Sequence, residues 1–331
     1  MSGNDCFCLD PRYPTTRMVT KDHQEPEGAS CSGELGQLFL PAGAGRLAEG
    51  GLRTKGYFKR GATGRPLITV ITIVYNRCEH MAATIESVLA QTYDNMEYII
   101  IDGGSTDGTV EVIQRYEEAI DYWISEPDQG IGDAFNKGVL ASTGKWVNFM
   151  NCGDRFASAD TVDHIVAHVD EKADVVFGRT TVVDDKGTRI VTHGRPFENQ
   201  RLSRGMNIPH QSAFHNTDYF RDYGLFDTSF KTSMVYEMFM RKRPLSAIFV
   251  NEVASYMLVA GISETADYVR LKEARMIKQK HRPDLGSLVI QYDYYYGFIR
   301  ALTKRALIGL GLGCVARCVR QVEGRLRDAR P

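Results

Sequence analysis

Two stretches of this 331-residue chain run from apolar residues straight into carboxylates, as a strand does when it ends at a ligand site. One is Ile99-Ile-Ile-Asp102-Gly-Gly-Ser-Thr-Asp107-Gly108 and the other is Trp146-Val-Asn-Phe-Met-Asn-Cys-Gly-Asp154. In an open parallel sheet, ligands collect beyond the carboxyl ends of the strands, so oxygen-bearing side chains set there are the first place to expect binding or catalysis. Between them, Gly130-Ile-Gly-Asp133-Ala-Phe-Asn136-Lys-Gly138 opens a helix whose first-turn amides can face an anion. The same residues also have plainer roles: Asp102 suits a tight turn, Asp107 a helix cap, and Asp154 the cap of a helix entered near Ser158.

Short apolar runs alternating with helical periodicity position these groups. The pairs are 68–75 with 80–91, 98–102 with 110–118, 122–125 with 131–141, and 146–151 with 161–169. Strand and helix repeated in this way imply a parallel sheet with right-handed crossovers, hence a doubly wound α/β layer. Residues 175–183, 187–192 and 247–258 read as further strands of a smaller mixed region, the first two joined by the hairpin signal Asp184-Asp-Lys-Gly187. A charged helix is expected over 264–281 and a helical tail over 285–327. Three parts follow: residues 1–65 as a loosely structured extension, 66–265 as the α/β domain and 266–331 as a basic helical region.

The 40 Lys and Arg nearly cancel the 41 Asp and Glu, so the molecule as a whole has no field to gather nucleic acid or acidic polymers. Seven scattered cysteines, an odd number without paired CxxC spacing, argue against both a disulfide framework and a zinc site. The first thirty residues lack an apolar signal core, and a cytoplasmic, reducing location is expected. His164 and His168 are four apart without the glutamate of an HExxH pair, and read as solvent-facing. The tail is locally charged: residues 297–331 hold eight Lys or Arg against Glu323 and Asp328, around the apolar run 306–316. That run is too short to cross a bilayer, which takes about 20 residues of helix. Two readings of the tail stay open: a basic helix lying on anionic lipid at the inner face of the cytoplasmic membrane, or a packing or oligomerising helix with a solvated basic face.

Five blocks, in order, resemble family 2 glycosyltransferases with the GT-A fold: Ile68-Thr-Val-Ile-Thr-Ile-Val-Tyr-Asn76, Ser87-Val-Leu-Ala-Gln-Thr-Tyr93, Glu97 to Thr109, Ser125-Glu-Pro-Asp-Gln-Gly130 and Asn136-Lys-Gly138. The chain is most similar to the bacterial exopolysaccharide branch typified by colanic-acid glycosyltransferases, over roughly residues 66–265. The resemblance implies a GT-A-type, mostly parallel sheet and inverting, metal-dependent transfer of a single sugar. The donor would be a UDP- or GDP-sugar, and the acceptor a saccharide or a polyprenyl-linked saccharide. It assigns Val74, Tyr75 and Asp102 to the nucleoside, and Asp154 to Mg2+ or Mn2+ under the diphosphate. Asp133 and Asn136 go to sugar or acceptor hydroxyls, and His210 of Pro209-His-Gln-Ser212 to a phosphate or hydroxyl. Such a cation prefers oxygen ligands and commonly takes only one or two protein carboxylates. The bland alternatives are a core aromatic for Tyr75 and a satisfied buried histidine for His210. Gly261-Ile-Ser263 resembles a loop that covers the donor.

The chain departs from the family pattern at three places. Asn151 or Cys152 stands where the first acid of the usual Asp-x-Asp pair belongs, and Phe135 stands where many relatives carry an arginine. Val235 occupies the position of the usual catalytic base in Met234-Val-Tyr-Glu237-Met-Phe-Met-Arg241. Glu237 is the nearest carboxylate, but two residues on a helix are turned by about 200°. Glu237 is therefore expected as the base only if the helix begins late; its plain role is a first-turn acid favoured by the helix dipole. Val235 also supports an alternative, a catalytically silent relative that binds nucleotide-sugar or protein partners. A nucleotidyltransferase would show a glycine-rich basic loop where Tyr75-Asn-Arg-Cys78 stands, and a processive synthase a Gln-x-x-Arg-Trp segment that is absent.

Overall fold

The computed structural model describes residues 6–21, 35–42, 45–59, 61, 64–203, 205–259 and 267–309. The strands are β1 (Val19–Thr20), β2 (Ala48–Gly50), β3 (Phe58–Lys59), β4 (Ile68–Val74), β5 (Met96–Asp102), β6 (Tyr122–Ser125), β7 (Trp146–Phe149), β8 (Arg155–Phe156), β9 (Val175–Val183), β10 (Arg189–His193), β11 (Ala213–Asn216) and β12 (Ala247–Leu258). The helices are α1 (Cys78–Leu89), α2 (Thr109–Gln114), α3 (Ile131–Ala141), α4 (Thr161–Val166), α5 (Asn199–Leu202), α6 (Thr217–Tyr223), α7 (Met234–Met240), α8 (Asp267–His281) and α9 (Ser287–Gly309). They form two compact units, Met1–Gly261 and Ile262–Pro331.

β-Branched sequence sets the centre of the first unit. β4 reads Ile-Thr-Val-Ile-Thr-Ile-Val and β5 ends Tyr-Ile-Ile-Ile-Asp; both are buried along almost their whole length, as strands covered on two faces must be. β6, β5, β4 and β7 lie side by side and parallel, with Val74 opposite Asp102 and Asp102 opposite Ser125 at their shared carboxyl end. α1, α2 and α3 make the crossovers, α1 burying Met81, Ile85 and Val88 and α3 burying Ala134, Phe135 and Val139. The expected α/β architecture with a parallel centre is present.

The mixed region is the same sheet continued. Its full order is β2-β6-β5-β4-β7-β11-β9-β12-β8, with β10 paired to β9. β11 lies antiparallel between β7 and β9, and β12 runs parallel to β9. The β9–β10 hairpin turns where Asp184 and Gly187 signal it, with Asp184 Oδ1 accepting from the amides of Lys186 and Thr188 and Gly187 at φ 77°.

Residues 1–65 correct the expectation of a loose extension, because their described parts are bound into the domain. β2 pairs antiparallel with β6 at the sheet edge, and β1 pairs with β3. The Thr15 hydroxyl donates to the Ala119 carbonyl at 2.6 Å. The strongest tie is a buried ion pair, Arg53 Nη2 to Glu97 Oε1 at 2.5 Å, with both side chains 1% exposed. Glu97 also accepts from Thr69 Oγ1, Thr143 N and Thr143 Oγ1, while Arg53 donates to the carbonyls of Leu38 and Ala141. The attachment runs through single polar side chains and backbone bonds rather than an apolar period, so hydropathy reading does not register it.

In the second unit, α8 and α9 pack on each other. Lys278 bridges Asp293 at 2.8 Å, and the Arg275 guanidinium lies over the Tyr294 ring. Gly297 lets Leu271 approach to where a Cβ would stand only 2.5 Å away. No described helix is long and apolar enough to cross a membrane. The tail beyond 309 and the expected donor loop at 261–263 lie outside the described residues.

Removing one partner of a buried ion pair leaves an uncompensated charge, which costs about 3–5 kcal/mol. Arg53→Ala is therefore expected to lower the urea unfolding free energy by that amount, whereas Lys55→Ala, whose partner Glu118 is exposed, changes it by less than about 1 kcal/mol. Equal and small losses in the two variants would show that the extension is not anchored through Arg53.

Candidate functional site

β5 and β7 flank β4, so their carboxyl ends sit two strand spacings apart, about 10 Å. Beyond that edge Met150 N donates to Ile71 O and Cys152 N to Ile73 O, which carries the Asn151–Asp154 turn past the end of β4. The two sequence-predicted carboxylates, Asp102 and Asp154, thus lie on either side of one strand at one edge. Their environments are opposite.

Asp102 is fully buried and saturated. Its Oδ2 accepts from Gly104 N (3.1 Å), Ser105 N (2.9 Å) and Ser125 Oγ (2.6 Å), and its Oδ1 from Ser105 Oγ (2.5 Å). The carboxylate expected to meet a nucleoside is engaged in shaping the Gly103–Ser105 loop, which is its plainer role as a turn former. Val74 is buried, and its carbonyl accepts from Gly103 N. Tyr75 is 62% exposed, which removes the reading of a core aromatic. The next residue, Asn76, takes a left-handed φ of 49°, held by Asn76 N donating to Ser105 Oγ and Thr106 N donating to Asn76 Oδ1.

Between these loops Gly103 brings two side chains close: a Cβ there would stand 2.5 Å from Asp128 Oδ2, which would have to swing away, and 3.4 Å from the Tyr75 ring. The floor of the edge is therefore a glycine flanked by an exposed aromatic ring and the carboxylate of Asp128. The residue reading did not single out Asp128, although it lies in the quoted Ser125–Gly130 block.

Across β4, Asp154 is 5% exposed. Its Oδ1 accepts from Leu258 N at 3.2 Å and it accepts from Gln211. Burial outweighs both bonds and pushes its pKa up to about 7. The helix-capping alternative falls away, because the Ser158 segment is tied locally to Asp160 and Thr161. Next to it, Asn151 Oδ1 is buried without a hydrogen-bond partner among the described residues. Cys152, the other residue standing where the first acid is expected, carries a thiol whose pKa burial raises to about 12, so it stays neutral.

His210 stacks on Phe149 with centroids 4.9 Å apart, and neither ring nitrogen has a partner among the described residues. Burial drives its pKa down to about 3. Its ring nitrogens are thus buried without being satisfied, and Asn207 likewise buries both amide atoms without a partner among the described residues.

Several predicted contacts turn out to be braces. Asn136 Nδ2 donates to Phe226 O (2.9 Å) and Asn136 Oδ1 accepts from Phe226 N (2.8 Å), so its whole amide clamps a loop and corrects the expectation of a sugar contact. Asp133 accepts from Gln129 N and faces Lys137 at 3.3 Å. Lys137 also bridges Glu126 at 2.9 Å, and Arg46 of the supposed extension bonds the same carboxylate at 2.9 Å. Phe135 is buried against Phe149 and Phe226, so an arginine's place is filled by core.

Glu237 is fully buried and ion-paired with Arg241 at 2.5 Å, and Arg241 in turn donates to the carbonyls of Tyr223, Gly224 and Leu225. α7 begins at Met234, so the helix does not start late, and Glu237 points into the interior. The expectation of a catalytic base at Glu237 is corrected on both counts.

Comparison with known proteins agrees with this geometry. Residues 69–234 match the model of the family described as Glycosyl transferase family 2. An uncharacterized glycosyltransferase of Mycobacterium tuberculosis strain H37Rv is 33% identical over 185 residues, spanning 54% of this chain and 70% of that protein. The PGL/p-HBAD biosynthesis glycosyltransferase of Mycobacterium bovis BCG is 27% identical over 209 residues, 60% of this chain and 80% of its own. Among solved structures, a mannosyltransferase from Pyrobaculum calidifontis in complex with GDP-Man and Mn2+ superposes with a TM-score of 0.53 at 17% identity, over 81% of this chain and 82% of that one. Staphylococcus aureus TarS with UDP superposes at 0.50 and 16%, over 74% and 75%. At such identities the structures speak for the fold, which is GT-A. With half its length in the family match and a relative above 30% identity, this chain belongs to glycosyl transferase family 2.

Proposed function

We propose that the protein transfers one sugar from a nucleotide-sugar to a hydroxyl of a saccharide or lipid-linked saccharide, with inversion and with Mg2+ or Mn2+, in polysaccharide assembly. The observation that carries the reading is the group of buried polar atoms beyond β7: Asn151 Oδ1, both nitrogens of His210, and the desolvated Asp154 carboxylate. Leaving a buried polar group unpaired costs about 1–3 kcal/mol, a cost that a polar ligand removes. Two neighbours in fold hold GDP-Man with Mn2+ and UDP, which supports a nucleoside diphosphate sugar as that ligand.

The donor set fits a hard cation. Asp154 and Asn151 offer oxygens, and one carboxylate suffices where phosphates supply the rest. When bound, such an ion neutralises charge on the leaving diphosphate. The chain's own residues divide the remaining work. Tyr75 presents its ring for stacking on the base, and Asp128 accepts from base or ribose donors beside Gly103. Asp102 holds the floor under them, and the neutral His210 ring offers one N–H and one lone pair to a phosphate or hydroxyl. The Glu126–Lys137–Asp133 cluster, tied to Arg46, steadies the loop after β6. A silent, donor-binding relative is the second reading, and it rests on Val235 and the locked Glu237.

Titrating UDP, GDP and their sugars calorimetrically with and without Mn2+, alongside donor hydrolysis, separates the two readings. Asp154→Asn, which keeps an acceptor for Leu258 N, is expected to abolish metal-dependent donor turnover and tight donor binding while the protein stays folded. Unchanged turnover at saturating Mn2+ would sink the metal assignment, and metal-dependent binding without any turnover in the native chain would favour the silent relative.

Glu237→Gln should lower stability about as much as Arg241→Met, on the order of 3–5 kcal/mol, without a selective drop in turnover per folded molecule. A fall of about 10²-fold or more in kcat with unfolding unchanged would restore Glu237 as the base.

A further inference from the structure

α9 is apolar on two sides, and only one of them is used. Towards α8 it turns Ile290, Tyr294, Gly297 and Phe298, which meet that helix or lie buried. On the opposite side Leu288, Tyr292, Tyr295, Ile299 and Leu302 are 84%, 68%, 57%, 62% and 50% exposed. Their spacing of four, three, four and three residues places them within about 80° of one another at 100° per residue. Val289 and Tyr296, also exposed, widen the stripe to about 140°. No Asp, Glu, Lys or Arg falls in this arc between 288 and 303.

We propose that this stripe docks α9 in the plane of an anionic bilayer surface. Three observations select that occupant. The arc is broader than the two-position seam of a coiled coil, and its flank carries Val289 and Tyr296 where a helical partner would be selected by charges. Three of its seven residues are tyrosines, which settle at the boundary between lipid headgroups and acyl chains. The sequence from 297 to 331 holds eight Lys or Arg against two acids, a local excess of positive charge that complements anionic headgroups. No described helix is long and apolar enough to cross the bilayer, so the contact is in-plane. The apolar stripe lies on α9, three of the eight basic residues belong to that helix and five follow it in sequence, and the surface is independent of the donor chemistry proposed above. If both hold, the docked helix keeps the enzyme where a lipid-linked acceptor resides.

The test uses the full chain in vesicle flotation, with phosphatidylcholine alone and with added phosphatidylglycerol. The protein is expected to float with the anionic vesicles, less so as salt rises. Tyr292→Asp with Ile299→Asp should cut partitioning by at least about tenfold, with helix content by circular dichroism and donor hydrolysis unchanged. Tyr292→Trp provides a readout that does not depend on a disruptive change: Trp123 and Trp146 are both buried, so a blue shift on adding anionic vesicles reports residue 292. The proposal is overturned if the native chain stays in solution, if the aspartate variant floats as well as the native chain, or if Tyr292→Trp emission does not move. It is also overturned if light scattering shows a dimer that the aspartates dissociate while vesicles bind nothing, since the stripe would then belong to a second copy.

Discussion

A carboxylate inside a parallel sheet must be answered, and the fold depends on how Glu97 is answered. It is the second residue of β5, buried between strands, and it draws in Arg53 from the N-terminal segment, Thr69 from β4 and Thr143 from the connection between α3 and β7. Four pieces of chain distant in sequence are thereby fixed at the amino end of the strands. Since side chains alternate faces, a slip of one residue in β4 or β5 would turn every group at the carboxyl end to the wrong side. Glu97 and its partners pin that register from the end opposite the site.

At the site end, two aspartates of identical chemistry are set to different tasks by their surroundings. Asp102 receives four hydrogen bonds and is a structural anchor for the Gly103–Ser105 loop. Among the described residues Asp154 receives Leu258 N and Gln211 in a desolvated place, too little to offset the burial of its charge. A saturated carboxylate braces a loop; an undersatisfied one keeps acceptor capacity to spare. The same contrast separates Asn136, whose amide is fully engaged with Phe226, from Asn151, whose oxygen is not.

The central fold was legible because it is written in period: β6, α3, β9 and β12 fall where apolar runs and helical spacing put them. β2 and β11 were not, since Ala48-Glu-Gly50 and Ala213-Phe-His-Asn216 hold no sustained apolar run of the kind that marks β6. The described parts of the extension were misread because scattered single residues attach them, polar ones such as Thr15 and Arg53 and isolated apolar ones such as Val19, Leu40 and Leu52, without a repeating pattern. Motif order anticipated where Tyr75, Asp102 and Asp154 fall along the chain, just after β4, at the end of β5 and after β7. It did not reveal which polar atoms were already taken, because hydrogen-bond occupancy is a property of packing. Asn136, Asp102 and Glu237 were credited with contacts that the interior had claimed, while Asp128 and Arg46 carried no signal beyond their presence near glycine-rich turns.

His210 carries a further consequence. Stacked on Phe149, tilted against Phe135 and with both ring nitrogens buried, it has its pKa driven down to about 3 by desolvation, so the free imidazole is neutral near physiological pH. The neutral ring offers one N–H and one lone pair, and a negative charge seated against it would pull that pKa back up, so protonation of this ring would be coupled to what it holds.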